Sequence, residues 1–527
     1  MTDISSVRDR WQAITARIGT PDRRVAIGLF LLMLSIFGLT AGGHTYSGDE
    51  EGYYQQARAL SAGTYSFERP DDVRIVSAWM TGRDGLITGG GGIGAPISAV
   101  PLTLVGQLAA SAYEGTRADE VRRLFVGFTN AWVGALLVSI CFLIAREMGA
   151  PRRRATLLAV VIGIGTMVWS YAHMFLFSEL LTAMLLSAGV LAAIRGVTRT
   201  RWVPWCVAAG IFTGAAVFAR ATALPFLVPV GLYVVLMAWR RHGRGRAAMA
   251  GAAYGGAAVG MLALLALANW WRYGSSTNVG YGETPPPFSA ITGLHGLLLS
   301  PGKSIFIYAP IALVAFVAIP WAIRRRPAEV VLLLSIALIN LAIFARIAIW
   351  SGDEAWGPRY MLVALPLFAL ILAPVMDHDW WPGATAIAGA LGVIVAVLSI
   401  VVHPLRAYNV AAATYGVDAV DATGTAKYID ALHFRPGASP PLAHLRLLPD
   451  VVGNTADELS DPAGAGGRGQ PFPDRVDRRY SWTPERASVD IWWIGWERRG
   501  IPPWALLLAV PLAGAGVVGA GLTRGRA

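Results

Sequence analysis

Val25–Gly43 reads VAIGLFLLMLSIFGLTAGG, an uncharged apolar run close to the roughly 20 residues that cross a hydrocarbon core of about 30 Å. Comparable runs follow at 124–145, 155–172, 178–194, 203–219, 222–239, 247–270, 304–323, 329–349, 360–376, 383–402 and 502–522, about twelve in all. A chain of 527 residues that is 55% hydrophobic and 15% charged, with a mean hydropathy of +0.51, has too little polar surface to coat a soluble body. Lipid cannot satisfy backbone N–H and C=O groups, so runs of this length imply helices, and the expected fold is an all-α polytopic membrane protein. The charged flank MTDISSVRDRWQAITARIGTPDRR lacks the small-residue cleavage site of a signal peptide, so the first helix reads as retained.

Orientation follows from arginine. Arg23 and Arg24, Arg152 to Arg154, Arg195 with Arg199 and Arg201, Arg240 with Arg241, Arg244 and Arg246, Arg324 to Arg326, and Arg524 with Arg526 fall on one side if the spans alternate, which makes that side cytoplasmic. The same bookkeeping disposes of the net charge of +11: the basic residues sit in short loops between spans, as topology requires, and no nucleic acid is implied. One further segment, GAPISAVPLTLVGQLAASAY (Gly94–Tyr113), is apolar enough to cross, but counting it would put the later arginine loops outside. It reads as a re-entrant or interfacial helix broken by Pro96 and Pro101, and leaves Arg122 and Arg123 outside in breach of the rule. Cys141 and Cys206 lie within apolar runs and read as small hydrophobes.

The scheme divides the chain into a transmembrane region, 1–402, with a first outer loop at 43–123; an outer loop domain, 403–501; and a last span with its tail, 502–527. The outer loop domain contains DPAGAGGRGQPFPDR (Asp461–Arg475), a turn-rich and irregular stretch. No internal repeat or inverted pair of halves is visible.

Directly after the first span comes HTYSGDEEGYYQQARAL (His44–Leu60), with Asp49, Glu50 and Glu51 side by side. Ser47 with Glu50 fits a capping box, so a short helix is expected to open here and run to about Leu60. Capping accounts for Ser47 and Glu50 but does not require Asp49. Basic residues also stand at outer boundaries against the positive-inside trend: Arg220 in FARATALPF, Arg272 in NWWRYGSS, Lys303 in GLLLSPGKSIFIYAP and Arg359 in WSGDEAWGPRYMLVALP. Lys303 is one of two lysines in an arginine-dominated chain. Snorkelling explains any one of them; together they suit a lipid-borne phosphate, with a carboxylate opposite to take a proton from a hydroxyl.

These residues carry a resemblance. The acids after the first span, GGGGIGAPISAVP before the membrane-skimming helix, FSELL opening a span, and the Lys303 and Arg359 motifs together resemble the bacterial membrane glycosyltransferases of the GT-C superfamily, relatives of protein O-mannosyltransferases and aminoarabinose transferases. The resemblance covers roughly Val25 to Pro374, and each motif alone is weak; DIWW (Asp490–Trp493) is similar to loops in some members and carries less weight. It implies a GT-C fold and a single sugar transferred from a polyprenyl-phosphate donor to a hydroxyl of a lipid, envelope glycan or protein, on the outer face of the bacterial cytoplasmic membrane. Asp49 matches the base, with Glu50 beside it. Lys303 and Arg359 match the phosphate-holding cations, with Arg220 or Arg272 as further candidates; Glu179 matches the acid of the outer turn, in a sugar-contacting or a structural role, and Tyr53, His44, Tyr308, Trp350 and Asp353 are further candidates for sugar or acceptor contact. Where the family has an aromatic before the re-entrant helix, this chain has Gly91-Gly92-Ile93-Gly94, which puts stacking there in doubt.

No cofactor is required by this chemistry. A divalent ion on Asp49 and Glu50 is the alternative, though hard cations prefer more oxygen ligands. His44, His173, His295 and His403 fall near outer boundaries without the spacing of a defined metal site. GGGGIG superficially resembles a nucleotide-binding fingerprint, but no strand is expected before it and no βαβ unit around it. Two other functions stay open on sequence: a transporter or lipid flippase, and an oligosaccharyltransferase or glycan ligase using a lipid pyrophosphate.

Overall fold

The computed structural model describes residues 20–68, 79–281, 289–352, 355–378, 380–404, 433–460 and 489–497, with positions 514 and 516. The chain is an all-α polytopic membrane protein. Each expected span that falls within these residues is helical: α1 (Pro21–Leu39), α4 (Gly115–Glu147), the bent pair α5 (Arg152–Ile164) and α6 (Met167–His173), α7 (Ser178–Thr198), α8 (Val203–Ala219), α9 (Leu227–His242), α10 (Arg244–Tyr273), α13 (Ile311–Arg325), α14 (Pro327–Phe344), a broken stretch through α15 (Leu365–Ala369), and α16 (Trp380–Val401). Among the described residues six helices are long and apolar enough to cross by themselves, and the α5–α6 pair, bent by 53°, makes a seventh. The shorter ones are extended through 3-10 turns or a second short helix, as at α12 (Ile305–Tyr308), which follows α11 (Ala290–Leu299) and leads into α13. Nearly all of the twelfth expected span lies outside the described residues, but Gly516 rests against Gly28 and Leu32 of α1, where a Cβ would come 2.6 Å from the Leu32 nitrogen.

The arginine loops are joined to one another at one end of the bundle. Asp22 at the start of α1 accepts from Arg152 Nε at 2.7 Å and Arg146 Nε at 3.1 Å. Glu147 at the end of α4 takes Arg195 and Arg199 from the end of α7, at 2.9 and 2.6 Å. Arg154 and Arg325 reach the carbonyls of Met376 and Pro374, and Arg325 also pairs with Asp377. Among the described residues the arginine loops thus share one end of the bundle, as alternating spans require.

At the opposite end the first outer loop packs down on the bundle. Ser47 caps α2 (Gly48–Ser61) with a full capping box, as its sequence pattern requires. A two-stranded antiparallel hairpin, β1 (Trp79–Thr81) and β2 (Ile87–Gly89), leads into the glycine-rich loop. A strand thus does precede GGGGIG, contrary to expectation; it is three residues long and paired to its neighbour, and no βαβ unit occurs among the described residues.

The interfacial helix α3 (Gly94–Ala110) is continuous: Pro96 sits in its first turn, where the missing N–H costs nothing, and Pro101 is tolerated inside it. It starts against Ala219 at the outer end of α8 and finishes against Val121 and Ala41, also at the outer end. Both of its ends are therefore at one level. Ile97, Leu104, Val105 and Leu108 project outward as an apolar face. Arg123, the apparent breach of the charge rule, is accounted for by its neighbours: it pairs with Glu51 of α2, bonds Asp119 at 2.6 Å and stacks on Tyr54.

Within 403–501, expected to form an outer loop domain, α17 (Pro440–Ser460) packs on α16, and α18 (Trp492–Glu497) places Trp492 in a small cluster with Ala41, Ala110 and Leu124. Most of 403–501 lies outside the described residues, Asp461–Arg475 included.

Candidate active site

The three neighbouring acids of α2 have three different environments. Glu50, at the N3 position of the capping box, is fully buried; its Oε2 accepts the Tyr46 and Ser47 N–H groups and its Oε1 the N–H of Leu176 at 3.3 Å. Burial pushes its carboxyl up to about 7 against the pull of those three donors and of His44. Glu51 is spent on Arg123 and on Gln55 at 2.8 Å. Asp49 alone points into open space: its side chain is 41% exposed, and its Oδ2 lies 3.7 Å from Arg359 Nη1.

Around Asp49 stands a partly dry cluster. Glu179, in the first turn of α7, faces Arg220 at 2.7 Å and Arg359 at 3.6 Å through Oε1. The close approach to Arg220 is a charge contact poorly aligned for hydrogen bonding, since Oε1 receives no hydrogen bond among the described residues. Arg220 follows α8 in an extended conformation, donates to Ser178 Oγ at 3.2 Å and lies over Tyr360, which stacks on Phe344 at 4.4 Å. Its Nε has no hydrogen-bond partner among the described residues. Arg359 opens the 3-10 turn Arg359–Val363 and bonds the Tyr360 hydroxyl at 3.1 Å. Tyr53, one residue-turn beyond Asp49 on α2, borders the glycine-rich loop, and burial raises its phenol above its ordinary value. The result is two guanidiniums sharing one buried carboxylate, with a second carboxylate at the mouth.

The other expected cations are placed differently. Lys303 is fully buried, and its Nζ donates to the carbonyls of Ala355 at 2.6 Å and Gly357 at 3.1 Å. It braces the segment that delivers Arg359. Arg272, at the end of α10, is fully buried as well and donates to the carbonyls of Gly89 and of Gly91, the latter at 3.2 Å. It fastens the glycine-rich loop. Tyr308 and Trp350 are interior: Tyr308 donates to the Gly302 carbonyl at 2.9 Å, and Trp350 packs beside His433 and against Gly296. Asp353 lies outside the described residues.

Behind Glu50, a group that sequence spacing did not reveal comes together. His44, His403 and Asp490 bring ligand-capable atoms within 4.8 Å of one another. His44 Nε2 is 2.7 Å from Asp490 Oδ1, while His173 Nε2 is 3.6 Å from Asp490 Oδ2 and 2.9 Å from the Tyr46 hydroxyl. Burial opposes charge on both partners, yet the Asp490 carboxylate lifts His44 above its usual range, and His44 with His173 and His403 holds Asp490 well below its own.

No protein-family model matches the chain, and no curated protein does. Among solved structures it is similar to ArnT from Cupriavidus metallidurans in the apo state, with a TM-score of 0.46 and 15% identity over 95% of this chain and 77% of that one. The same protein bound to undecaprenyl phosphate gives 0.46 and 16%, over 94% and 77%. The oligosaccharyltransferase AglB from Archaeoglobus fulgidus, in complex with an inhibitory peptide and a dolichol-phosphate, gives 0.39 and 14%, over 80% and 55%.

Proposed function

We propose that this protein is a GT-C-type glycosyltransferase that moves a single sugar from a polyprenyl-phosphate donor to a hydroxyl acceptor on the outer side of a bacterial cytoplasmic membrane. The observation that supports it most is the half-exposed Asp49 carboxylate 3.7 Å from Arg359, which shares the Glu179 carboxylate with Arg220, at the end of the bundle opposite the arginine loops. The acceptor oxygen attacks the anomeric carbon as its proton passes to Asp49; the bond from that carbon to the phosphate oxygen breaks, and the electron pair leaves with polyprenyl phosphate. Attack opposite the leaving group inverts the anomeric centre. The guanidiniums of Arg359 and Arg220 receive the departing charge, and as planar forks they suit two phosphate oxygens each. Glu179 holds the two cations side by side between turnovers, and Lys303 and Arg272 act through the backbone they fasten.

Glu50 drops out as a base in this reading, because both of its oxygens are turned onto backbone N–H groups. In this reading α3, with the described parts of 403–501 (α17 and α18), shapes the acceptor groove and keeps out water that would hydrolyse the donor, and the active region is 1–402 with the first outer loop.

The test is transfer of radiolabelled sugar from polyprenyl-phosphate donors to membrane acceptors by purified wild type and Asp49→Asn. A fall of roughly 10²–10⁴-fold in the variant, with label retained on the lipid, is the expected result. Equal rates would remove Asp49 from the chemistry. Wild type that transfers nothing from monophosphate donors but does so from a lipid pyrophosphate would favour a glycan ligase, and movement of intact lipid without transfer would favour a flippase.

A further inference from the structure

We propose that His44, His403 and Asp490 form a binding site for one divalent transition-metal ion, best suited to zinc, that pins the first outer loop to the two ends of the outer loop domain. The site is separate from the Asp49 cluster, and its argument does not depend on the reaction assigned there.

The tautomers set up the problem that an ion solves. His44 Nδ1 lies 3.1 Å from the Thr45 carbonyl, and a carbonyl only accepts, so the proton of a neutral His44 belongs on Nδ1. Its Nε2 lone pair then points at Asp490 Oδ1, 2.7 Å away, itself an acceptor. His173 repeats the pattern: Nδ1 contacts the Thr40 carbonyl, and Nε2 turns toward the Tyr46 hydroxyl and Asp490 Oδ2. Oδ2 is buried, with the Tyr46 hydroxyl and His173 Nε2 beside it but no hydrogen bond of ordinary length and angle among the described residues. His403 stacks on His44 with ring centroids 5.6 Å apart and supplies the third ligand. Lone pairs converging on a buried carboxylate require a positive charge among them.

Imidazole nitrogen and one carboxylate oxygen form the borderline ligand set that zinc takes, and His44, whose far nitrogen is tied to a backbone carbonyl, is oriented as a metal-ligating histidine ordinarily is. Ligand arms of about 2.0–2.1 Å require the three donor atoms to settle by ~1 Å, His44 and Asp490 parting and His403 closing in. The fourth position falls to water or to His173. A proton on His44 would also satisfy the pair electrostatically, and this is the competing occupant to be distinguished.

The experiment uses the full-length chain, untagged, in detergent. It is stripped with a chelator, reloaded with zinc, dialysed and read by elemental analysis, alongside a competitive chelator titration. About one zinc per wild-type chain is expected, with affinity falling by at least tenfold in both His403→Gln and Asp490→Asn and unchanged in His242→Ala, an exposed histidine at the far end. Cobalt loading gives visible d–d bands in wild type that vanish in His403→Gln, a readout that needs no transferase activity. His403 is only partly buried, so its variant keeps the test decisive if Asp490→Asn misfolds. Wild type that retains no zinc, or retains as much as His403→Gln does, would overturn the proposal in favour of a protonated His44 paired with Asp490.

Discussion

Asp49, Glu50 and Glu51 are chemically near-identical, and what separates them is where a helix N-terminus points each one. The capping box was legible in the sequence, and its geometry is what assigns Glu50 to the backbone and leaves Asp49 at the mouth. Which cations would face that mouth was not legible: Lys303 and Arg272 stand at the expected boundary but are drawn inward by loops whose carbonyls would otherwise go unsatisfied. Glu50 also carries a pH signature. Its folded carboxyl titrates near 7 against an ordinary 4.5, so the folded state binds more protons between these values and stability falls as pH rises through that window. The loss from this group amounts to at most about 3 kcal/mol. Thermal unfolding in detergent from pH 4.5 to 8 should show this slope in wild type and not in Glu50→Gln. For Glu179→Gln, two buried guanidiniums lose their shared counter-charge, and destabilisation of about 3–5 kcal/mol is expected by the same measurement.

Elements were legible where length alone decides them, and less so where local chemistry does. The spans follow from apolar runs, whereas β2 is a three-residue strand running into a stretch of glycines and carries no alternation to read. The doublings that extend the shorter spans, such as α12 before α13, are equally invisible to a sliding window. The glycine-rich loop meets α8 closely enough that a Cβ on Gly92 would stand 2.1 Å from the Ala219 carbonyl oxygen, next to Arg220. Gly92→Ala should therefore push the loop off the helix end, at a cost of about 1–3 kcal/mol in stability, and raise the KM for a lipid-phosphate donor more than it lowers kcat. Steady-state kinetics on vesicles check it.

At the scale of the whole molecule, the gathering of the arginine loops at one end was readable because arginine counts sum over many loops, while the histidine cluster was not, because its members lie hundreds of positions apart: the His44–Asp490 bond spans 446 residues of chain. A single cysteine at Arg201 should resist impermeant maleimide in intact cells, and one at Ser275 should label. The native Cys141 and Cys206 are buried and give low background.

The contact between the broken span and α16 has a consequence of its own. Gly389 and Gly392 bring α16 onto the unwound backbone at Gly165, where a Cβ on Gly392 would lie 1.9 Å from the Gly165 oxygen. Only bare backbone fits there, so α16 has one seating against its neighbour. His403 stands about three turns further along, just past the helix end, on the same side as Gly392. The helix is thus a measuring rod between a fixed notch and a histidine, and its length is constrained more tightly than its composition. One residue added between the two would swing His403 by about 100° and lift it by about 1.5 Å, away from His44 and Asp490. Conservative apolar exchanges along the rod's lipid side should pass unnoticed, while a one-residue insertion should part His403 from His44 and Asp490 with every side chain intact.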